Sequence, residues 1–397
     1  MDNAATLRGR FDRDRLVADA AAIAGSDDFG EDSWQEGLDL LLEGFVEEAQ
    51  LHELGVEIAV GGVTEYLANR AGITAWRAAH PTVAEGTVDH PIFIVGQPRT
   101  GTTILYDLLA LDPELRAPLT WEIDKPLPPP ETATRDSDPR IEEVDAVLSM
   151  ADSLIPGFTS FHPMGARLAQ ECVRITGGDF RSMIFPCQYR VRTYDRWLLH
   201  DADLAPAYRW HRRFLQHLQS ADPAPQWLLK SPAHLWDLDA LAAEYPDAVI
   251  VQTHRDPLKV ITSVSALVAH LRRMASDDVD LHEISADYAD DIFLGLDRGM
   301  DARARGVIPA DRIVDVHFQQ FVADPIETVR SIYVALGREL DDLTEKRMRA
   351  FLAEHPGDGG GGGTRYRFAD TGLEEGPLRE RAAEYQQAMD VASEPLA

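Results

Sequence analysis

One short segment constrains the fold more than any other part of the sequence. Residues 92–95 are four consecutive apolar, β-favouring residues, as expected of a central strand that is buried on both faces. Gly96 and Gly101 follow with the spacing of a phosphate-binding loop, and residues 102–111 read as a helix. A glycine-rich turn between a strand and a helix lets backbone N–H groups converge on an anion. The segment therefore predicts an α/β fold with an anion site at the end of this strand.

The residues around the second glycine indicate which anion the loop suits. A loop that binds a magnesium–triphosphate carries lysine directly after that glycine, followed by Ser or Thr. Here Thr102 and Thr103 occupy those positions, and the cation of the loop, Arg99, lies inside it. Two hydroxyls and an internal cation suit a phosphate ester that carries a less charged transferring group. The loop argues against an ATPase, and no metal ion is predicted.

Later segments repeat the alternation of strand and helix. Strands that alternate with helices indicate a parallel sheet with right-handed crossovers. We therefore predict the α/β class, with a P-loop-like parallel sheet flanked by helices. The further predicted strands are 226–229, 248–253 and 312–316, and the further predicted helices are 234–245, 257–272 and 326–336.

Two helical regions precede and interrupt this pattern. Residues 1–90 lack strand signals and read as a helical N-terminal extension, so the α/β domain is expected to span 91–397. Residues 125–224 read as a helical insert that forms the acceptor pocket or lid. The aromatic side chains of this insert suit an apolar or aromatic ligand, and they suit the core of the insert equally well.

The charge balance excludes several classes of partner. With 38 basic against 67 acidic residues, the formal net charge is −29, which repels phosphate backbones and anionic lipid headgroups. We expect no binding to nucleic acid or to a membrane surface. No apolar run approaches the ~20 residues that span a bilayer, and the N-terminus lacks the apolar centre of a secretory signal. A cytoplasmic protein that does not span a membrane is expected.

A second anion site is predicted after the 248–253 strand. Arg255 follows that strand, Pro257 lies where a helix would start, and Ser263 comes eight residues after Arg255. An arginine at a strand end and a serine on the next helix can hold one phosphate by charge-assisted hydrogen bonds. The alternative is that Arg255 is a salt-bridged arginine without a ligand.

Together these motifs resemble those of the PAPS-dependent sulfotransferases. Arg99 to Thr103 match the [K/R]-[S/T]-G-T-T signature that binds the 5′-phosphosulfate, and Arg255 with Ser263 matches the spacing of the family's 3′-phosphate motif. The Pro-Arg-Thr-Gly-Thr-Thr version is similar to bacterial members that resemble tyrosylprotein and glycan sulfotransferases. His317 and Phe318 depart from the family's usual Tyr-Glu pair. The resemblance implies that the cofactor is bound by Gly96, Pro98, Arg99, Thr100, Gly101, Thr102, Thr103, Arg255 and Ser263.

The resemblance also implies catalytic roles. Lys230 ends a predicted strand where the family carries a catalytic lysine, and Lys230 and Arg99 would stabilise charge on the sulfuryl group and the leaving phosphate. Pro232 stands where the cytosolic small-molecule enzymes have their histidine base. Glycan and protein sulfotransferases use a glutamate on the strand after the loop helix, and Glu122, 23 residues after Arg99, fits that distance. Glu122 is therefore the predicted general base.

Three other side chains are alternatives for the base. They are Glu171, His162 and His234. Glu171 and His162, together with Phe161, are also predicted to contact the acceptor, because all three lie in the insert.

A glycine run near the C-terminus has two interpretations. Residues 359–363 are five glycines, and Arg365 and Arg367 follow them. In the family a basic, glycine-containing loop closes over the cofactor, which implies that the two arginines bind its 3′-phosphate. A flexible linker with a solvated basic pair fits equally well.

These features predict a metal-independent sulfotransferase. It would transfer the sulfuryl group of PAPS in line to a hydroxyl of a small-molecule, lipid or glycan acceptor, and release PAP. The alternatives are a P-loop-type kinase of a small metabolite and a non-catalytic PAP-binding protein. The sequence identifies neither the acceptor nor the oligomeric state.

Overall fold

The central sheet brings the carboxyl ends of its strands to one edge. A computed structural model of the chain describes residues 3–154, 165–355 and 367–396. The strands in these ranges are β1 (Ile92–Gly96), β2 (Leu228–Lys230), β3 (Val249–His254) and β4 (Ile313–His317). They are parallel and lie in the order β2–β1–β3–β4. Ile94 pairs with Lys230 and Gly96 pairs with Thr253, so the glycine loop and Lys230 lie at the same edge.

Helices form most of the remaining described chain. The N-terminal helices are α1 (Asn3–Arg10), α2 (Arg13–Ala24), α3 (Trp34–Glu47) and α4 (Glu53–Ala79). Between β1 and β2 lie α5 (Thr102–Leu109), α6 (Thr120–Asp124), α7 (Arg140–Leu154), α8 (Cys172–Thr176), α9 (Ile184–Gln188), α10 (Arg192–His200) and α11 (Ala205–Leu218). The later helices are α12 (Leu238–Glu244), α13 (Pro257–Arg272), α14 (Leu281–Ala304), α15 (Phe318–Ala323), α16 (Pro325–Ala335), α17 (Asp342–Glu354) and α18 (Glu375–Ala388). In the described ranges, no helix is both long enough and apolar enough to cross a bilayer.

Strand β1 is buried on both faces. Phe93 and Val95 belong to a core that includes apolar side chains of α13 and α14. Ile92 and Ile94 belong to a second core, which includes side chains of α5 and α16. None of the four is more than 1% exposed. Burial of each such side chain contributes about 1.5–3 kcal/mol, which explains why the run contains no polar residue. The predicted parallel α/β sheet flanked by helices is confirmed.

The aromatic residues of the insert pack against the N-terminal helices. A third core joins apolar side chains of α2, α3 and α4 to the insert. Arg70 of α4 reinforces this contact, because its buried guanidinium donates to Asp179 at 3.0 Å and to the carbonyl oxygen of Phe29 at 2.8 Å. Five aromatic side chains of the insert are core residues, and the core is shared with α2, α3 and α4, where the sequence predicted a core of the insert itself. They are Phe180, Phe185, Tyr189, Tyr194 and Trp197.

Local capping decides where several elements begin. Helix α13 has the predicted bounds, and the Asp256 side chain accepts a hydrogen bond from the N–H of Leu258 at its start. The helix predicted at 234–245 is divided into a 3-10 turn, Pro232–Trp236, and the helix α12. The cause is Asp237, whose side chain caps α12 by accepting from the N–H of Ala240 at 2.9 Å.

We predict that Gly96→Ala destabilises the protein. A β-carbon at this position would lie 2.3 Å from Thr253 Oγ1 and 2.5 Å from its carbonyl oxygen, and φ is +133°. The free energy of unfolding, measured with urea, should fall by about 2–4 kcal/mol. Gly61→Ala in α4 is the control, since a β-carbon there meets nothing within 4 Å, and stability should rise by up to about 1 kcal/mol. Equal stability of the two variants would contradict the described contact between loop and β3.

Candidate active site

The glycine loop follows a backbone path that few residues adopt. The angle φ is +133° at Gly96, +66° at Arg99 and +87° at Gly101. A β-carbon on Gly101 would lie 3.2 Å from the rings of two α15 phenylalanines, so a larger residue would press the loop away from that helix. The Thr100 hydroxyl closes the loop by donating to the carbonyl oxygen of Gln97 at 2.6 Å. The two glycines therefore permit the positive φ angles of the loop, and the Thr100 hydrogen bond holds it in this conformation.

Helix α5 begins where the loop ends. Gly101 is its N-cap, and the N–H of Leu105 donates to the Gly101 carbonyl at 3.1 Å. First-turn N–H groups of a helix lack an acceptor within the helix and lie at the positive end of its dipole. At this end of α5 those groups belong to Thr102, Thr103 and Ile104, which makes the loop and helix start suitable for binding an anion.

Lys230 is a buried cation beside the loop. Its side chain is 1% exposed, and Nζ donates to Thr103 Oγ1 at 3.3 Å. Nζ also lies 5.7 Å from the ring centre of Tyr106, one turn further along α5. The charged partner of Lys230 is Glu171, whose Oε1 accepts a hydrogen bond from Nζ. Glu171 is 20% exposed, so the pair is accessible from the carboxylate side only.

The insert delivers Glu171 to this position through a short pairing of two segments. Leu119 forms an antiparallel bridge with Ala169, and the N–H of Gln170 donates to the carbonyl oxygen of Pro118 at 2.9 Å. Glu171 follows directly and is the N-cap residue of α8. The carboxylate of the insert and the cation of β2 therefore meet at the mouth of the loop.

Glu122, the predicted base, lies in a different network. It is on the short helix α6 and not on a strand, and it is fully buried. One carboxylate oxygen accepts from Arg116 at 3.2 Å and from Arg135 at 3.1 Å. The other accepts from the N–H of Leu119 at 2.8 Å, at the start of α6. Three donors thus engage both oxygens of Glu122, and Asp222 shares Arg116 at 3.2 Å. These contacts give Glu122 a structural role, and its role as the base stays a prediction.

The two predicted anion sites are joined by direct contacts. Arg255 donates from NH1 to the carbonyl oxygen of Arg99 at 2.8 Å. Arg99 in turn donates from Nε to the hydroxyl of Ser263 at 3.0 Å. The guanidinium of Arg255 stacks on the ring of Phe318 at 3.8 Å from its centre, and it forms an ion pair with Glu394. Phe318, one of the two departures from the family pattern, therefore contacts the second anion site.

His234 is buried and neutral. Its Nδ1 shares a hydrogen bond with the hydroxyl of Tyr208 at 2.8 Å, and burial lowers the pKa of His234 to about 3. The ring borders a cleft of about 40 Å³ that starts beside Ser231, directly after Lys230. The apolar side chains around this cleft include Met183, Leu198, Leu199, Leu204 and Trp236.

The structure does not test the remaining predicted site residues. His162, Phe161 and Arg365 lie outside the described residues. Arg367 is exposed and forms an ion pair at 2.7 Å with Asp370, three residues further on. The predictions for these residues stay predictions.

The sequence missed two residues that contact the site. Tyr106 lies under Lys230, and its position four residues after Thr102 on the loop helix is a signal that helical periodicity offers. Glu394 binds Arg255 across 139 residues of sequence, and no local pattern marks it.

We predict that Glu122→Gln lowers stability, because it removes the charge that two buried or half-buried arginines share. Loss of one partner from a buried ion pair costs about 3–5 kcal/mol, and the free energy of unfolding should fall by about 3 kcal/mol. Urea denaturation measures the change. The exposed residue Glu85 offers a control, since Glu85→Gln should shift the value by less than about 0.5 kcal/mol. A Glu122→Gln variant that keeps full stability and loses turnover would favour Glu122 as the base.

Comparison with known proteins assigns the chain to a family. Residues 91–342 match the sulfotransferase family. The omega-hydroxy-beta-dihydromenaquinone-9 sulfotransferase Stf3 of Mycobacterium tuberculosis and Mycobacterium bovis is 26% identical over 284 residues, which is 69% of this chain and 69% of Stf3. Sulfotransferase STF9 from Mycobacterium avium superposes with a TM-score of 0.87 and 29% identity, covering 96% of this chain and 97% of STF9. STF1 from M. tuberculosis has a TM-score of 0.82 and 33% identity, covering 94% of this chain and 98% of STF1. The chain therefore belongs to the sulfotransferase family and is a sulfotransferase.

Proposed function

We propose that the protein transfers the sulfuryl group of PAPS to the hydroxyl of an apolar small-molecule acceptor and releases PAP. The observation that carries this proposal is the contact between Lys230 and Glu171 beside Thr103. A cation, a carboxylate and the start of a helix meet at this point of the sheet edge. Sulfuryl transfer requires charge stabilisation, a proton acceptor and a binding site for the donor's anionic groups, and these three elements supply them.

The donor is proposed to bind along the loop and the cluster of arginines. The backbone N–H groups at the start of α5 suit the 5′-phosphosulfate, and Arg255 with Ser263 suits the 3′-phosphate. Support comes from the contacts that join Arg255, Arg99 and Ser263 into one cluster. A magnesium–triphosphate would need lysine at position 102, where the chain has threonine.

In the proposed step, Glu171 accepts the proton of the acceptor hydroxyl. The hydroxyl oxygen forms a bond to sulfur while the bond between sulfur and the phosphate oxygen breaks, in line. Once Glu171 is neutral, Lys230 has lost its anionic partner, so its ammonium group is available to the leaving phosphate. Arg99 adds a second positive charge on the loop, and its guanidinium stays protonated throughout.

Glu171 is proposed as the base in preference to Glu122 because of what surrounds each carboxylate. Protonation of Glu122 would leave the buried Arg116 with Asp222 as its sole acidic partner among the described contacts. Protonation of Glu171 instead frees a cation next to the loop. Glu171 is also the more exposed of the two side chains, at 20% against 0%, which gives an acceptor hydroxyl access to it.

An apolar acceptor is proposed from the cleft beside Ser231. The side chains that border it are mainly apolar, and the cleft is lined by Ser231, the residue after Lys230. Stf3, a relative at 26% identity, is named for a hydroxylated menaquinone, which is an apolar molecule with a hydroxyl group. The apolar border of the cleft and this relative both favour a lipid-like alcohol, and a cleft of about 40 Å³ would have to widen to admit its chain.

Ligand-induced stabilisation tests the donor assignment. We predict that PAP and PAPS raise the melting temperature and that Mg-ATP does not. A ligand that binds only the folded state at about 100 times its Kd adds roughly 2.7 kcal/mol of stability. Differential scanning fluorimetry with each nucleotide measures the shift. A shift with Mg-ATP and none with PAP would overturn the proposal in favour of a kinase.

Glu171→Gln tests the proposed base. We expect kcat to fall about 10²-fold or more while the Kd for PAP stays the same or falls, because the carboxylate takes part in proton transfer and its neutralisation frees Lys230 for the phosphate of PAP. The assay follows transfer of radioactive sulfur from PAPS to a panel of long-chain and prenyl alcohols. Glu142→Gln, on the exposed face of α7, is the matched control and should keep its turnover. Normal turnover of Glu171→Gln would remove Glu171 from this role.

A further inference from the structure

The second anion site already holds a carboxylate of the protein. Nε and NH2 of Arg255 donate to the two oxygens of Glu394 at 3.0 Å and 3.2 Å. Both side chains are 13% exposed. This fork-to-fork geometry is the arrangement that an arginine also uses to bind two oxygens of a phosphate. Glu394 therefore covers the edge of Arg255 that a 3′-phosphate would use.

The backbone around Glu394 is fixed at this position. Its N–H donates to Asp256 Oδ2 at 2.7 Å, and its carbonyl oxygen accepts from Arg379 at 3.1 Å. Arg379 also binds both oxygens of Asp256, at 2.8 Å and 2.7 Å. Asp256 is fully buried and caps α13. The segment after α18 is thus clamped to the start of the helix that carries Ser263.

The other sides of Arg255 are engaged as well. NH1 donates to the carbonyl oxygen of Arg99, and the ring of Phe318 covers one face of the guanidinium. A phosphate that contacts Arg255 through Nε and Nη2 must take the edge that Glu394 occupies. The phosphate and the Glu394 carboxylate are both anionic, so they would repel each other if both lay beside Arg255.

We propose that Glu394 is a residue that determines cofactor affinity and selectivity, acting as a tethered carboxylate that competes with the nucleotide's 3′-phosphate for Arg255. This inference rests on the proposed function. A nucleotide with a 3′-phosphate displaces Glu394 from Arg255 when it binds, so its apparent affinity is its intrinsic affinity multiplied by the fraction of protein in which Arg255 is uncovered. A nucleotide without that phosphate binds at the loop without displacing Glu394. Glu394 therefore weakens the preference for 3′-phosphorylated nucleotides.

The test compares two ligands and two charge-matched variants. Isothermal titration calorimetry gives the Kd of PAP and of adenosine 5′-monophosphate, which lacks the 3′-phosphate. Glu394→Gln should bind PAP about five- to tenfold more tightly, because the amide competes less well for the guanidinium. Its Kd for adenosine 5′-monophosphate should stay within about twofold. Glu384→Gln on the exposed face of α18 removes the same charge and should leave both values unchanged.

Two outcomes would contradict the inference. An unchanged or weaker affinity of Glu394→Gln for PAP would mean that Glu394 supports Arg255 and does not compete. Equal tightening for both nucleotides would mean a general effect of net charge. Glu394→Asp, which keeps the charge on a shorter side chain, provides a second variant and should give an intermediate Kd for PAP. If the unaltered protein binds no PAP, the proposed function fails first, whereas PAP binding that is insensitive to position 394 removes this inference alone.

Discussion

A buried ammonium group organises the site. Lys230 is almost completely enclosed, and an isolated charge in such surroundings costs several kcal/mol unless a counter-charge accompanies it. The counter-charge, Glu171, comes from the insert and not from the sheet. The glycine loop completes the arrangement. It follows β1, more than a hundred residues before Lys230 in the sequence. The sheet edge is therefore electrostatically complete only when the insert has folded over it, and this dependence couples the α/β core to the helices around it.

The acidic surface and the cationic site are compatible because they act over different distances. At physiological ionic strength, charges separated by more than about 8 Å in solvent are largely screened. The contacts that hold Arg99 and Arg255 are made to a hydroxyl, a carbonyl oxygen and one carboxylate, all at hydrogen-bond distance. The local partners of Arg99 and Arg255 therefore govern anion binding, whereas the net charge of −29 describes the solvent-facing surface.

Features that depend on local chemistry were predictable from the sequence. The glycine loop, the strand before it and the start of α13 at Pro257 follow from residues within a few positions of each other. Contacts made across the fold were not predictable. Glu122 has the sequence separation from Arg99 that the family resemblance implies. The donors that bind Glu122 are arginines, and only the tertiary structure brings them to it. Glu394 likewise contacts Arg255 across 139 residues of sequence, so no local pattern could predict this ion pair.

The aromatic residues of the insert illustrate a related limit. Their aromatic character suited burial but did not show which surface would cover them, since a ligand and a helix present similar apolar area. The structure gives this covering to α2, α3 and α4. The predicted boundary near residue 90 thus separates two kinds of secondary structure, while one hydrophobic core continues across it.

This shared core has a consequence for the order in which the chain can fold during synthesis. Helices α2 to α4 leave the ribosome before the insert, but the aromatic side chains that cover their apolar faces extend to Trp197, more than a hundred residues after α4 ends at Ala79. At about 5–20 residues per second, those faces wait roughly 5–25 s for their partners. During that interval the apolar faces of these helices are exposed and can bind other apolar surfaces. Until the insert emerges, the nascent chain therefore exposes apolar surface that the folded protein buries.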